Sequence, residues 1–257
     1  MSYKDFLKLE RFPTTWCPGC GIGLVMKAVA ELFEELGFSR EDTIVVSGIG
    51  CSGRAAGYFS LDTAHGLHGR ALPLAEGIKR ANRKLNVVVI SGDGDLTGIG
   101  GNHLLHSSRR NIDLTVICIN NETYGMTGGQ MAPTTKKGIK TLTSPLGNED
   151  EPINIQGIIT AHTNHFYARC TIFHLDHMKN SIRKAIQHKG FSFVDTICDC
   201  ITNYGKRQGF KTAYEMLMSY KDSYKINSTG ERLADNEIGI VTNKEPEQEI
   251  KDGNQQD

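Results

Sequence analysis

Val87-Val88-Val89-Ile90-Ser91-Gly92-Asp93-Gly94-Asp95 and, further on, Leu114-Thr115-Val116-Ile117-Cys118-Ile119-Asn120-Asn121 are the two stretches that decide the fold. Each opens as an unbroken run of apolar, largely β-branched residues of strand length. That is the pattern of a strand buried on both faces of a parallel sheet. The 25 residues between Gly94 and Asn120 hold one helix and the second strand itself. Such a connection makes the two strands neighbours, so Asp93 and Asn121 meet at their carboxyl ends, where open α/β sheets bind ligands. A carboxylate and an amide oxygen at that place suit Mg²⁺, a hard cation that keeps phosphate oxygens as partners. The pair therefore predicts a magnesium–diphosphate site.

Outward from these strands the same alternation continues. Leu24, Val25, Ala28, Val29, Leu32, Phe33 and Leu36 recur at helical spacing over 21–37, with Gly37 as a stop. Thr43–Ser47 reads as a strand, and 48–70 as a long loop rich in glycine and histidine. A helix with Pro73 in its first turn is expected to run to about Asn82, with Leu74, Ile78 and Ala81 inward. Further helices are expected near 100–110, 153–162 and 177–188, further strands at 165–169 and 191–197, and a Gly, Thr and Pro-rich loop over 121–150. Strands alternating with helices predict an α/β fold with a doubly wound parallel sheet. The expected organisation is one α/β domain over 1–226 and a polar C-terminal extension over 227–257, either packed on a partner or disordered.

The formal net charge is zero, which leaves no electrostatic footprint for nucleic acid or an anionic membrane. No apolar run reaches the ~20 residues that cross a bilayer, and the first residues carry no signal core, so a cytoplasmic protein is expected. In such a chain the seven cysteines point to metal, cluster or redox chemistry rather than disulfides. Cys118 and Cys170 read as core residues.

Three groups carry the chemistry. Asp95 adds a second carboxylate beside Asp93, and Gly98, Gly100 and Gly101 would let backbone approach a ligand before a helix. Alone, Gly-Asp-Gly could equally be an ordinary strand-to-helix turn. Trp16-Cys17-Pro18-Gly19-Cys20-Gly21, with Cys51 in Gly48-Ile49-Gly50-Cys51-Ser52-Gly53, supplies three thiolates, and Cys198 or Cys200 a fourth. Spacing alone leaves a structural zinc and a [4Fe–4S] cluster both open. His65-Gly66-Leu67-His68-Gly69-Arg70 reads as diphosphate or substrate contacts.

Taken together, these motifs resemble the β subunits of the 2-oxoacid:ferredoxin oxidoreductases, which bind thiamine pyrophosphate (TPP). The likeness spans roughly 10–210 and rests on Trp16–Gly21, Ile49–Gly53, His68–Ala71, Gly92–Asp95, Gly100–His103, Arg109–Asp113 and Tyr124–Gln130 in order. The pattern looks most like the 2-oxoglutarate-type members. The resemblance implies a TPP-binding domain, with Ile49, Gly50, Cys51, Ser52, His68, Gly92, Asp93, Gly94, Asp95, Asn121, Thr123, Tyr124, Gly125, Met126 and Thr127 about the cofactor. It implies Mg²⁺ on Asp93, Asn121 and the Thr123 carbonyl, and a [4Fe–4S] cluster on Cys17, Cys20, Cys51 and Cys200. Cys200 is preferred to Cys198 because Cys200-Ile201-Thr202-Asn203-Tyr204 fits the family's segment after its last ligand.

The implied activity is CoA-dependent oxidative decarboxylation of a 2-oxoacid, 2-oxoglutarate first, with electrons leaving through the cluster to ferredoxin. Arg54 is the candidate for the substrate's distal carboxylate, although a surface arginine paired with an acid reads as well. In this family the glutamate that activates TPP comes from the α subunit, so Glu122 is not given that role and the chain is expected to need its α partner, with γ and δ subunits as optional additions. Pyruvate or branched-chain 2-oxoacids are the alternative substrates. A non-redox TPP decarboxylase subunit and a zinc-stabilised binding module are the rival readings.

Overall fold

The computed structural model describes residues 2–242. The apolar runs become the centre of an eight-stranded sheet in the order β2-β1-β3-β4-β8-β7-β10-β9. Its strands are β1 (Thr43–Ser47), β2 (Asp62–His65), β3 (Asn86–Gly92), β4 (Leu114–Asn120), β7 (Phe166–Thr171), β8 (Phe191–Ile197), β9 (Lys225–Asn227) and β10 (Glu237–Thr242). A small separate hairpin is formed by β5 (Thr123–Tyr124) and β6 (Gln130–Met131). From β2 to β7 the strands run parallel, with Val89 opposite Val116 and Ile117 opposite Val194. Every residue of β4 and β8 is buried, as two covered faces require.

Helices α1 (Ile22–Glu35) and α5 (Leu175–Gln187) cover one face, together with α6 (Ala213–Ser223). Helices α2 (Ala71–Ala81), α3 (Gly101–Arg109) and α4 (Ile155–Thr160) serve the other. Helix α1 stops where Gly37 allows it. With φ +69° at Gly37, Phe38 N donates to Phe33 O at 2.9 Å and Gly37 N to Glu34 O at 3.1 Å. The Phe33 and Phe38 rings stack 5.4 Å apart across that turn.

Several expectations need correction. Pro73 does sit in the first turn of α2, but the helix's inner face is Ala71, Leu72, Ala75, Glu76 and Lys79. Leu74 and Ala81 face outward and Ile78 is half-buried. Two charged residues on the buried face hid the true stripe. They are tolerated there because Glu76 pairs with Arg110 at 2.7 Å and Arg80 at 3.0 Å, and Lys79 with Asp113 at 2.8 Å. The 48–70 loop contains a 3₁₀ turn (Ser52–Tyr58) and the edge strand β2. Helix α6 was not anticipated.

The extension expected from Asn227 onward is not all tail. β10 pairs antiparallel with β7, Val241 opposite Tyr167, and brings β9 with it. Ile238 is fully buried and Val241 nearly so, which a short run of apolar residues inside a polar stretch concealed. The Lys244–Asp257 segment lies outside the described residues. A chain ending at Tyr224 leaves the β7 edge open. It should melt several degrees lower and aggregate on heating, as read by circular dichroism and light scattering; an unchanged melting temperature would show that β9 and β10 contribute nothing.

Candidate active site: two cavities at the carboxyl edge of the sheet

After β1 the chain turns to β2 on one side, and it comes back to β3 on the other. The loops after β1 and β3 therefore diverge, leaving a crevice at the strand carboxyl ends. Asp95 organises it. Its Oδ1 accepts from His68 Nδ1 at 2.5 Å, Gly69 N at 2.8 Å and Ile49 N at 3.2 Å, and its Oδ2 accepts from Ser91 Oγ at 2.6 Å. One carboxylate thus ties two loops to the end of β3, and only a glycine fits at 48, where an added Cβ would run into the Asp95 carboxylate.

Asp93 has a different environment. It is buried, and Thr134 Oγ1 donates to its Oδ2. Burial first of all, then the charges of Glu122 and Asp195, push its carboxyl up to about 7. Asn121 Oδ1 accepts from Thr123 N at 3.3 Å. A cavity of about 260 Å³ opens between these groups. Ile49, Gly50, Cys51 and Ser52 line it from β1, and Gly92, Asp93, Gly94 and Asp95 from β3. His68 enters from the loop before α2, and Asn121, Thr123, Tyr124, Gly125, Met126 and Thr127 from the loop after β4. A buried carboxyl short of donors, an amide oxygen and a glycine-lined wall fit a divalent cation with its diphosphate.

None of Gly98, Gly100 and Gly101, expected to let backbone approach a ligand, lines this cavity. Gly94 and Gly98 lie against the Tyr124 ring, and Gly100 against the Asp95 carbonyl. His65 is also not in this cavity, since its Nδ1 meets Ser47 Oγ at 3.1 Å. Arg70 does not line it either; its Nη1 donates to Gly69 O at 3.3 Å.

A second cavity, about 300 Å³, adjoins the first and shares Cys51, Asn121, Gly125 and Met126 with it. Cys17, Cys20, Cys51 and Cys200 all line it. Trp16 closes one side, its Nε1 donating to Cys51 O at 2.8 Å. Burial, with Asp199 and the thiols of Cys200 and Cys51 nearby, pushes the Cys20 thiol up to about 12. Cys198 lies in the core instead, fully buried. The four thiols surround the cavity without converging on one point: among the described residues no three Cys, His, Asp or Glu groups are set to hold a single ion.

Arg54 lines the cysteine cavity but not the Asp93 cavity, and has no carboxylate partner among the described residues. Glu122 is turned away, held by Lys136 at 2.9 Å and Tyr204 Oη at 2.6 Å. The sequence reading missed Thr134, Asn203 and Asp199. Asp199 Oδ1 accepts from Gly21 N at 2.8 Å, and Asn203 Nδ2 donates to Gly125 O at 2.6 Å. Thr134 sits in a loop with no local signal, 41 residues from its partner.

Because the folded-state pKa of Asp93 is raised, the native chain binds the proton more tightly than the unfolded chain. Without a cation, the contribution of Asp93 to stability is fully present below the ordinary carboxyl range and is lost as pH rises through about 7. Asp93→Asn should flatten that fall and raise stability at alkaline pH, while Mg²⁺ plus pyrophosphate stabilises only the wild type. Urea unfolding across pH reads both effects; identical curves would rule out the buried, unpaired state of Asp93.

Comparison with known proteins agrees with this geometry. Residues 48–196 match the family described as thiamine pyrophosphate enzyme, C-terminal TPP binding domain. The chain is 45% identical to the 2-oxoglutarate synthase subunit KorB of Archaeoglobus fulgidus, over 93% of this chain and 88% of that protein. It is 44% identical to KorB of Methanocaldococcus jannaschii, over 85% and 81%. Among solved structures it superposes with a TM-score of 0.83 at 29% identity on a 2-oxoglutarate:ferredoxin oxidoreductase from Magnetococcus marinus, over 96% of this chain and 86% of that one. Conservation of fold across nearly the whole chain, at this identity, leaves one conclusion: the chain belongs to the TPP-binding β subunits of the 2-oxoacid:ferredoxin oxidoreductases.

Proposed function

We propose that this β subunit works in the CoA-dependent oxidative decarboxylation of 2-oxoglutarate to succinyl-CoA, passing electrons through a [4Fe–4S] cluster to ferredoxin. The observation that carries the proposal is the shared wall: Cys51, Asn121, Gly125 and Met126 border both the Asp93 cavity and the cysteine cavity. A redox group on the thiols would lie beside whatever the Asp93 cavity holds. Bound there, TPP supplies an electron sink for the carbon that loses CO₂.

The chain's own residues do the holding. Asp93, Asn121 and the Thr123 carbonyl would carry Mg²⁺, with Thr134 keeping the Asp93 carboxyl in place. Cys17, Cys20, Cys51 and Cys200 would carry the cluster. The four thiols line one cavity of about 300 Å³, which leaves room for a multinuclear group. Because Lys136 and Tyr204 occupy Glu122, the acid that works on TPP is better supplied by the α subunit. No helix among the described residues is long and apolar enough to cross a membrane; the assembly is proposed to be cytoplasmic.

The substrate proposal rests on two supports. Relatives along most of the chain are named 2-oxoglutarate synthase subunits, and the solved relative carries 2-oxoglutarate, coenzyme A and succinyl-CoA. Arg54, unpaired and close enough to lower the cost of the Cys51 thiolate, is free to meet a distal carboxylate.

Two experiments test the proposal. The complex purified with its partner subunits should reduce ferredoxin or a viologen with 2-oxoglutarate and CoA. Arg54→Ala should raise KM for 2-oxoglutarate about tenfold or more, the worth of a charge-assisted hydrogen bond. Turnover of pyruvate alone would sink the substrate assignment. Separately, Cys200→Ser should abolish the broad visible absorbance near 400 nm that [4Fe–4S] proteins show, while Cys198→Ser keeps it. The reverse pattern would transfer the fourth ligand to Cys198, and zinc without iron would end the redox reading.

A further inference from the structure

One buried group in the cysteine cavity has no part in the site as described so far. Asp199 lines that cavity beside Cys200 and is 1% exposed. Its Oδ1 accepts from Gly21 N at 2.8 Å, and its Oδ2 is buried with no hydrogen-bond partner among the described residues. The approach to Gly21 depends on glycine there, since an added Cβ would lie 2.8 Å from Oδ1 and 3.0 Å from Cys198 Sγ. A carboxylate with one oxygen unpaired in the interior is costly. Packing gives no reason for it, because an amide or a hydroxyl could accept from Gly21 N as well.

Two charged side chains besides the thiols line the cavity, Asp199 and Arg54. They act with unequal strength. Arg54 is exposed, so water and salt screen its field. Asp199 is buried, where the effective dielectric constant is about 20 rather than about 80. The carboxylate therefore sets the potential inside the cavity. A negative charge beside an iron–sulfur group opposes the addition of an electron, so the reduced group becomes the stronger donor. The bond to Gly21 N works in the same direction. A hydrogen bond to a cluster sulfur disperses negative charge and favours the reduced form. The amide that follows Cys20 is committed to Asp199 instead.

We propose that Asp199 is a potential-setting residue: its buried carboxylate holds a [4Fe–4S] cluster on Cys17, Cys20, Cys51 and Cys200 at low reduction potential, which favours passage of each electron on to ferredoxin. Asp199 exchanges no proton in this role and makes no bond to iron; it acts through its field and through the amide it occupies. The inference rests on the cluster reading proposed above.

The test is a potentiometric titration of the assembled complex at about pH 8, above the ordinary carboxyl range, followed by electron paramagnetic resonance. The signal to follow is the one that Cys200→Ser removes, which separates it from any cluster on another subunit. Asp199→Asn keeps an acceptor for Gly21 N and removes the charge. It should favour the reduced form at least about tenfold, a rise in midpoint potential of about 59 mV or more, with iron content unchanged. Asp199→Ser, smaller and also able to accept, should move the potential the same way and covers the case of an amide that does not pack. Arg54→Gln should shift the same equilibrium in the opposite direction by about threefold or less, because its charge is screened. An unchanged or lowered potential in the Asp199 variants would overturn the proposal, as would a larger shift from Arg54→Gln than from Asp199→Asn. Loss of iron from both Asp199 variants would also overturn it, since Asp199 would then serve to hold the cluster and not to set its potential. A wild type with neither iron nor signal would instead remove the cluster reading, and this inference with it.

Discussion

A buried carboxylate is costly unless each of its oxygens finds donors, and the way Asp95 meets that requirement shapes the rest of the site. Four donors from two loops and one strand converge on it: the backbone of Ile49 after β1, the His68–Gly69 segment before α2, and Ser91 at the end of β3. Neither loop has regular structure to hold it in place. The carboxylate supplies the missing constraint, and the absence of a side chain at Gly48 gives it room. Asp93, two residues away, has a single side-chain donor in Thr134. Asp95 is spent on architecture, and Asp93 is left short of partners for a ligand to supply.

A second seam joins the loops after β4 and β8. Asn203 Nδ2 donates to the Gly125 carbonyl, and Tyr204 Oη to Glu122, which Lys136 neutralises. Cys200 precedes this pair in the chain, and its Sγ lies so near Gly125 that an added Cβ there would sit 3.2 Å from it. The loop that carries Asn121 and Thr123 is therefore fixed against the loop that carries Cys200. Two side-chain hydrogen bonds thus hold the walls of the Asp93 cavity and the cysteine cavity side by side.

Much of the scaffold was legible because its signals are local. β-branched runs at 87–91, 114–119 and 191–197 became buried parallel strands, and the Phe33–Phe38 turn about Gly37 ended α1 as its sequence indicated. Legibility failed where long-range pairing outweighed local composition. Glu76 and Lys79 looked exposed, yet lie on the inner face of α2 because Arg110, Arg80 and Asp113 reach them from elsewhere. β10 looked like tail, yet completes the sheet against β7.

The sequence by itself determined the parallel α/β fold, the pairing of Asp93 with Asn121 at one sheet edge, and the gathering of cysteines near it. Hydrophobic periodicity and strand-end chemistry encode those within a few dozen residues. The tertiary structure set Cys200 on the cavity and Cys198 in the core, the choice that the segment after Cys200 had indicated, and it alone gave Asp95 its role as a tie between segments. It alone brought Thr134 to Asp93 and turned Glu122 away from the site. Hydrogen bonds between residues distant in sequence leave no periodic trace, so these choices exist only once the chain has closed on itself.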